Sequence, residues 1–116
     1  MENFKYSDER FADIQMLRYR LDDFEKLPLN KKKLIYYLSE ATLWGRDITF
    51  DQCGKYNLKI RKMLEAIYTS DKVDKNTEDY KAMSEYLKKV WFSNGIHHHY
   101  GCEKFVPGFS EQFLRN

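Results

Sequence analysis

The sequence is poor in the residues that interrupt, bridge or anchor a chain. Two prolines and five glycines in 116 residues leave long stretches free to run as regular secondary structure. No apolar run approaches the roughly 18 residues of a membrane-crossing helix, and the opening Met1-Glu2-Asn3-Phe4-Lys5 lacks the apolar centre of a secretory leader. A membrane is therefore not an expected partner, and a cytoplasmic location is expected unless a leader precedes this sequence. The only cysteines, Cys53 and Cys102, lack C-x-x-C spacing, which argues against a disulfide framework or a zinc ribbon and makes reduced thiols the expectation. An excess of one charge is missing too. Twenty Lys and Arg oppose 18 Asp and Glu, interspersed along the chain, so no nucleic-acid partner is expected. The single basic run, Lys31-Lys32-Lys33, reads as a solvated helix start beside Asn30.

What the sequence does have is material for a core: 42% hydrophobic and 16% aromatic residues, with nine tyrosines and eight phenylalanines. That suits a single helical domain over residues 1–116. Ser7 with Asp8 and Glu9 offers a cap and an acidic first turn, and Phe11, Ile14, Leu17, Leu21 and Phe24 recur every three or four residues. This spacing predicts a first helix from Ser7 to Phe24. After Leu27-Pro28-Leu29, a second helix is expected with Asn30 as cap and Leu29 stapled to Leu34. It runs through Tyr37, Leu38, Ala41, Trp44 and Ile48 to the break Asp51-Gln52-Cys53-Gly54. A third carries Leu58, Ile60, Met63, Leu64, Ile67 and Tyr68 and ends at Thr69-Ser70-Asp71. Beyond a polar linker at 72–75, Asn76 and Asp79 have capping-box spacing and open a fourth helix through Tyr80, Met83, Leu87, Val90 and Trp91. Its end is expected near Asn94-Gly95, with the glycine left-handed. Met63, Met83 and the tyrosines between them are expected in core seams. No strand-like alternation is sustained. The expected fold is mainly α: a compact bundle of about four amphipathic helices, a His-rich loop, and a short helix after Ser110. That last helix has about six residues before Asn116 and is marginal alone, which predicts that the natural chain continues.

The segment Ser93-Asn94-Gly95-Ile96-His97-His98-His99-Tyr100-Gly101-Cys102 gathers all three histidines. On a helix, adjacent side chains point about 100° apart, so the three imidazoles would not converge. Extended, His97 and His99 share a face to which Cys102 returns. A structural zinc site takes four ligands at established spacings, and one nearby cysteine leaves this set short, so no metal ligand is assigned. Nothing orients a base toward either thiol, so no catalytic residue is assigned.

Two longer stretches carry a resemblance. Tyr36-Tyr37-Leu38-Ser39-Glu40-Ala41-Thr42-Leu43-Trp44-Gly45-Arg46-Asp47 resembles an early helix of dipeptidyl peptidase III. Glu78-Asp79-Tyr80-Lys81-Ala82, leading through Ser93 to Tyr100 and on to Lys104-Phe105-Val106-Pro107-Gly108-Phe109, is similar to the stretch that follows it, closest to the bacterial branch. The likeness spans the chain from about Phe11 onward. It implies a two-lobed, zinc-dependent exopeptidase, a hydrolase that releases dipeptides from peptide N-termini, of which this chain would be the start of the lobe without zinc. The family's H-E-x-x-G-H motif has no counterpart here, since His97, His98 and His99 are followed by His, His and Tyr. The isolated chain is accordingly expected to be inactive and to hold no cofactor, with zinc residing elsewhere in the parent enzyme. The resemblance places Tyr100, with His99 and Gly101, at the substrate cleft, where eukaryotic relatives carry an aromatic residue. Cys102 departs from a position where an acid is common. Expected partners are a peptide substrate, the remainder of the parent enzyme, and further copies of the fragment through exposed apolar surface. The alternative is a stand-alone helical interaction or scaffold domain, binding metal through its histidines.

Overall fold

A computed structural model of the chain describes residues 4–115. Contacts cluster into two units, the first reaching Arg46 and the second beginning at Asp47. The described residues are mostly helical, with one two-stranded sheet.

The first unit opens with that sheet, which corrects the helix expected from Ser7 to Phe24. Strands β1 (Ser7–Phe11) and β2 (Ile14–Leu17) pair antiparallel, with Phe11 opposite Ile14, Arg10 opposite Gln15 and Ser7 opposite Leu17. Between Ser7 and Arg10 the register shifts. Gln15 braces this irregularity, its side-chain amide donating to the carbonyls of Asp8 at 3.1 Å and Glu9 at 3.3 Å. The Arg18 N–H extends the pairing to the Tyr6 carbonyl at 2.7 Å. A helix here would need a surface on which to bury its apolar stripe, yet only Ile14 of the series is buried. Local side-chain hydrogen bonds to the backbone then favour the hairpin. Ala12 turns the chain at a φ of 50°.

A 3-10 turn at Phe24–Lys26 precedes helix α1 (Leu29–Trp44). Lys32 links the two, its ammonium 3.2 Å from the Glu25 carboxylate and 5.7 Å from the centre of the Phe24 ring. The cap position is Pro28, not Asn30. The Pro28 carbonyl accepts from the Lys31 and Lys32 N–H groups, while the Asn30 side chain accepts from its neighbour Lys31 inside the first turn. Leu29 and Leu34 are both largely exposed. The single helix expected through Ile48 is broken at Gly45, whose N–H closes back on the Thr42 carbonyl at 3.1 Å. This tight closure at a residue of poor helix propensity separates α1 from α2 (Arg46–Cys53).

In the second unit, α2, α3 (Asn57–Thr69) and α4 (Glu78–Ser93) build the core. Phe50, Leu64, Tyr80, Met83, Tyr86, Leu87 and Val90 are buried together. On α4 the residues Tyr80, Met83, Leu87 and Val90 are three or four apart and fall on one face, as the sequence predicts. Met63, expected in the core, is 44% exposed, because Leu64 takes the inward position. The cap of α4 is Thr77 and not Asn76. The Thr77 hydroxyl accepts from the Tyr80 N–H at 3.2 Å, and Asn76 turns to Asp74. At the other end Asn94, not Gly95, adopts the left-handed conformation (φ 54°, ψ 32°). Helix α5 (Glu111–Arg115) is short but tethered. Ser110 caps it by accepting from the Phe113 N–H, and donates its own N–H and hydroxyl to the Asp79 carboxylate, each at 2.9 Å. Phe109 and Phe113 pack against the core, supplying the support that a helix of this length needs. Among the described residues no helix is long and apolar enough to cross a membrane.

Candidate functional site

The end of α4 sets the position of the histidine segment. Once Asn94 has reversed the helix, the Gly95 N–H returns to the Val90 carbonyl at 3.1 Å. Gly95 passes so close to Asn57, the first residue of α3, that a Cβ there would lie 2.3 Å from the Asn57 amide nitrogen. Glycine is required by that approach. The Asn57 side-chain oxygen Oδ1 accepts from the Ile96 N–H at 3.3 Å, which ties the segment to α3.

From Ile96 the backbone runs out and returns. The Phe105 N–H donates to the Ile96 carbonyl and the His98 N–H to the Glu103 carbonyl, both at 2.8 Å, with His97 and Lys104 forming a bridge between them. A turn closes the excursion, the Gly101 N–H meeting the His98 carbonyl at 3.0 Å. Ile96 and Phe105 anchor its base against the core. The three residues assigned to substrate, His99, Tyr100 and Gly101, therefore sit together on one tethered turn.

Their rings form a ladder. His98 stacks on His99 at 4.6 Å, Phe92 meets His99 edge-on at 4.9 Å, and the Tyr100 ring lies 3.9 Å from His99. Tyr100 itself is 87% exposed. Its N–H donates to His98 Nδ1 at 3.3 Å.

Beside the turn lies a cavity of about 400 Å³. Its wall takes Cys53 from the end of α2, Asn57 from α3, Ser93 and Gly95 from the end of α4, and residues 97–99 and 101–102 from the turn. Sequence reasoning missed Asn57 and Cys53 as neighbours of this segment. Asn57 and Ile96 are 39 residues apart, and no local pattern announces the contact. The two thiols, Cys53 and Cys102, are free, exposed and border the same cavity.

The wall contains no Asp, Glu, Lys or Arg. The groups with shifted acidity lie elsewhere in the unit. Hydrogen bonds from Arg61 and then Lys62 hold the Asp47 carboxyl below its usual range, and burial raises the Tyr86 hydroxyl. Among the described residues no three His, Cys, Asp or Glu side chains are grouped so as to hold a metal ion.

Comparison with protein-family models gives no match, and comparison with curated proteins gives none either.

Proposed function

We propose that this chain is the N-terminal helical part of a zinc-dependent peptidase of the dipeptidyl peptidase III type, a metallopeptidase that releases dipeptides from peptide N-termini in the cytoplasm. In this reading it forms one wall of the substrate cleft, with Tyr100, His99 and Gly101 meeting the peptide and the zinc and its general base supplied by the rest of the enzyme. The observation that carries it is the exposure of Tyr100. A large aromatic ring stands 87% exposed on a turn held by three backbone hydrogen bonds and by the His97–Lys104 bridge, with Ile96 and Phe105 anchoring its base against the core. An amphipathic ring held out in this manner offers an apolar wall and one hydroxyl to a ligand.

Two further features support the reading. The segments that resemble the peptidase family, Ser93 to Tyr100 and Lys104 to Phe109, include most of this turn and its anchors. In the first unit, α1 buries none of its sixteen residues and exposes Leu34, Tyr37, Leu38 and Trp44, which is the surface of an element covered by more protein.

The test is Tyr100→Ala in the parent enzyme, assayed on a dipeptidyl-naphthylamide. A pocket wall distant from the chemistry contributes mainly uniform binding, so KM should rise on the order of tenfold, about 1.4 kcal/mol, with kcat little changed. An unchanged kcat/KM rejects the pocket role. Turnover of the same substrate by the isolated chain with added zinc rejects the larger reading.

A further inference from the structure

A second concavity, of about 330 Å³, lies at the tip of the turn and is bordered by His98, Tyr100, Gly101, Cys102 and Glu103. Unlike the first, it has a carboxylate on its rim. Glu103 is exposed, and its side chain makes no ion pair or hydrogen bond among the described residues. Only its backbone is engaged, the carbonyl accepting from the His98 N–H at 2.8 Å. Tyr100 is tied to the same histidine, its N–H donating to His98 Nδ1 at 3.3 Å. Both residues therefore flank His98 on a turn that the Gly101 N–H closes at 3.0 Å. Gly101 leaves the space between them open: a Cβ there would meet no heavy atom within 4 Å beyond its chain neighbours. The nearest ring to Tyr100 is His99 at 3.9 Å, and most of the Tyr100 side chain stays in contact with solvent.

We infer that this concavity binds an organic ammonium cation, with the Glu103 carboxylate supplying the opposite charge and the Tyr100 ring an aromatic face. A carboxylate alone would attract sodium as readily. The ring adds the selection, because its negative quadrupole attracts a cation while its carbon surface accepts the alkyl groups that the cation carries. Both groups are open to solvent, so the ligand reaches them without rearrangement of the turn. The same openness keeps the affinity modest, since exposed ion pairs and exposed cation–π contacts are each weak. The volume of about 330 Å³ lies at the lower end of the roughly 300–1,000 Å³ of small-ligand pockets. The inference adds Glu103 to the binding residues of the turn, and it stands whether or not the chain belongs to a peptidase.

The experiment is a nuclear magnetic resonance titration of the full chain with isotope-labelled amides. Tetramethylammonium chloride, methylammonium chloride, tert-butanol and sodium chloride are compared at equal ionic strength. Saturable shifts of the Gly101, Cys102 and Glu103 N–H signals are expected with the two ammonium salts and not with the neutral alcohol or with sodium. Tighter binding of tetramethylammonium assigns the site to alkylated head groups, and tighter binding of methylammonium assigns it to primary amines. Glu103→Gln keeps the shape and removes the charge, so it should weaken binding about two- to fivefold. Tyr100→Leu should weaken tetramethylammonium by a similar factor of about two to five, and Tyr100→Phe should retain it. All three substitutions fall on exposed side chains, so the amide spectrum should stay dispersed. Equal shifts with tert-butanol, shifts that grow linearly in every salt, or full affinity in Glu103→Gln or Tyr100→Leu would each overturn the assignment. Such a failure leaves the cleft reading in place, since that is judged by the KM of Tyr100→Ala in the parent enzyme.

Discussion

Helices α1 and α4 have the same length, sixteen residues each, but α1 buries none of them and α4 buries Tyr80, Met83, Tyr86, Leu87 and Val90. Both contain ample apolar material, so its arrangement makes the difference. On α4 the apolar positions fall three and four apart and form one seam, which packs against α3. On α1 the run Leu34-Ile35-Tyr36-Tyr37-Leu38 is consecutive. At about 100° per residue, five such positions encircle the helix. Over this stretch the apolar residues form no single face, while Lys31, Lys32, Lys33, Ser39 and Glu40 flank it on the same helix, so α1 has no one seam to bury. The lesson is that the second unit carries its own core, whereas the first contributes surface.

The strongest way to break this contrast is to truncate one leucine in each helix. Leu87 is fully buried and Leu38 is 57% exposed. Leu87→Ala should lower the free energy of unfolding by about 2–5 kcal/mol through lost transfer energy and a residual cavity. Leu38→Ala should change it by no more than about 0.5 kcal/mol. Urea denaturation followed by fluorescence separates the two, because Trp44 reports the first unit and Trp91 the second. An equal cost for Leu38→Ala would show α1 to be covered in solution, by another copy of the chain or by the first unit itself.

The same contrast explains what the sequence made legible. Helices α3 and α4 were readable nearly to the residue, since their period, their polar flanks and their burial agree. Thr77 displaced Asn76 as cap by one position, within reach of the same local chemistry. The hairpin was hidden because Phe11, Ile14 and Leu17 also fit a helical period, and because its turn uses Ala12 at positive φ where asparagine or glycine would have signalled it. The break at Gly45 was masked by the apolar positions continuing to Ile48. For the candidate site, the sequence marked Tyr100 and the histidines as a group. It did not mark Asn57, whose role depends on the close pass of Gly95, a contact across 39 residues.

That close pass supplies the next prediction. In Gly95→Ala the new methyl would lie 2.3 Å from Asn57 Nδ2 and 2.8 Å from its Cγ, closer than packed atoms approach. The anchored position of Asn57 leaves it little room to yield, so the substitution should cost about 1–3 kcal/mol. Thermal unfolding of Gly95→Ala, and of the same variant with Asn57→Ala, sharpens the point: part of the loss should be recovered when the amide is removed. No recovery would mean that the backbone at Gly95, and not its approach to α3, sets the cost.

The smallest expected effect is a dependence on pH that belongs to the second unit. Asp47 has its pKa lowered from 3.8 by the hydrogen bond from Arg61, and further by Lys62, whose ammonium lies 3.2 Å from the second carboxylate oxygen. A carboxyl lowered on folding contributes stability that is complete above its unfolded pKa and is lost as pH falls through the folded value. The second unit should therefore weaken on acidification below about pH 4, and Asp47→Asn should flatten that limb. Tyr86 acts with the opposite sign. Burial raises its hydroxyl above 10.0, so its contribution is present below the unfolded value and is lost as pH rises through the folded one. Tyr86→Phe keeps the ring and should remove that alkaline loss. The Trp91 signal is suited to both limbs, since its indole N–H donates to Glu65 at 2.8 Å and Glu65 also pairs with Arg61 at 3.4 Å. With Trp44 replaced by Phe, the acid limb should be read by Trp91 alone and should shrink with added salt, because Asp47 and Lys62 are both well exposed. An acid limb insensitive to Asp47→Asn would assign it to other carboxylates and detach this ion pair from the stability of the core.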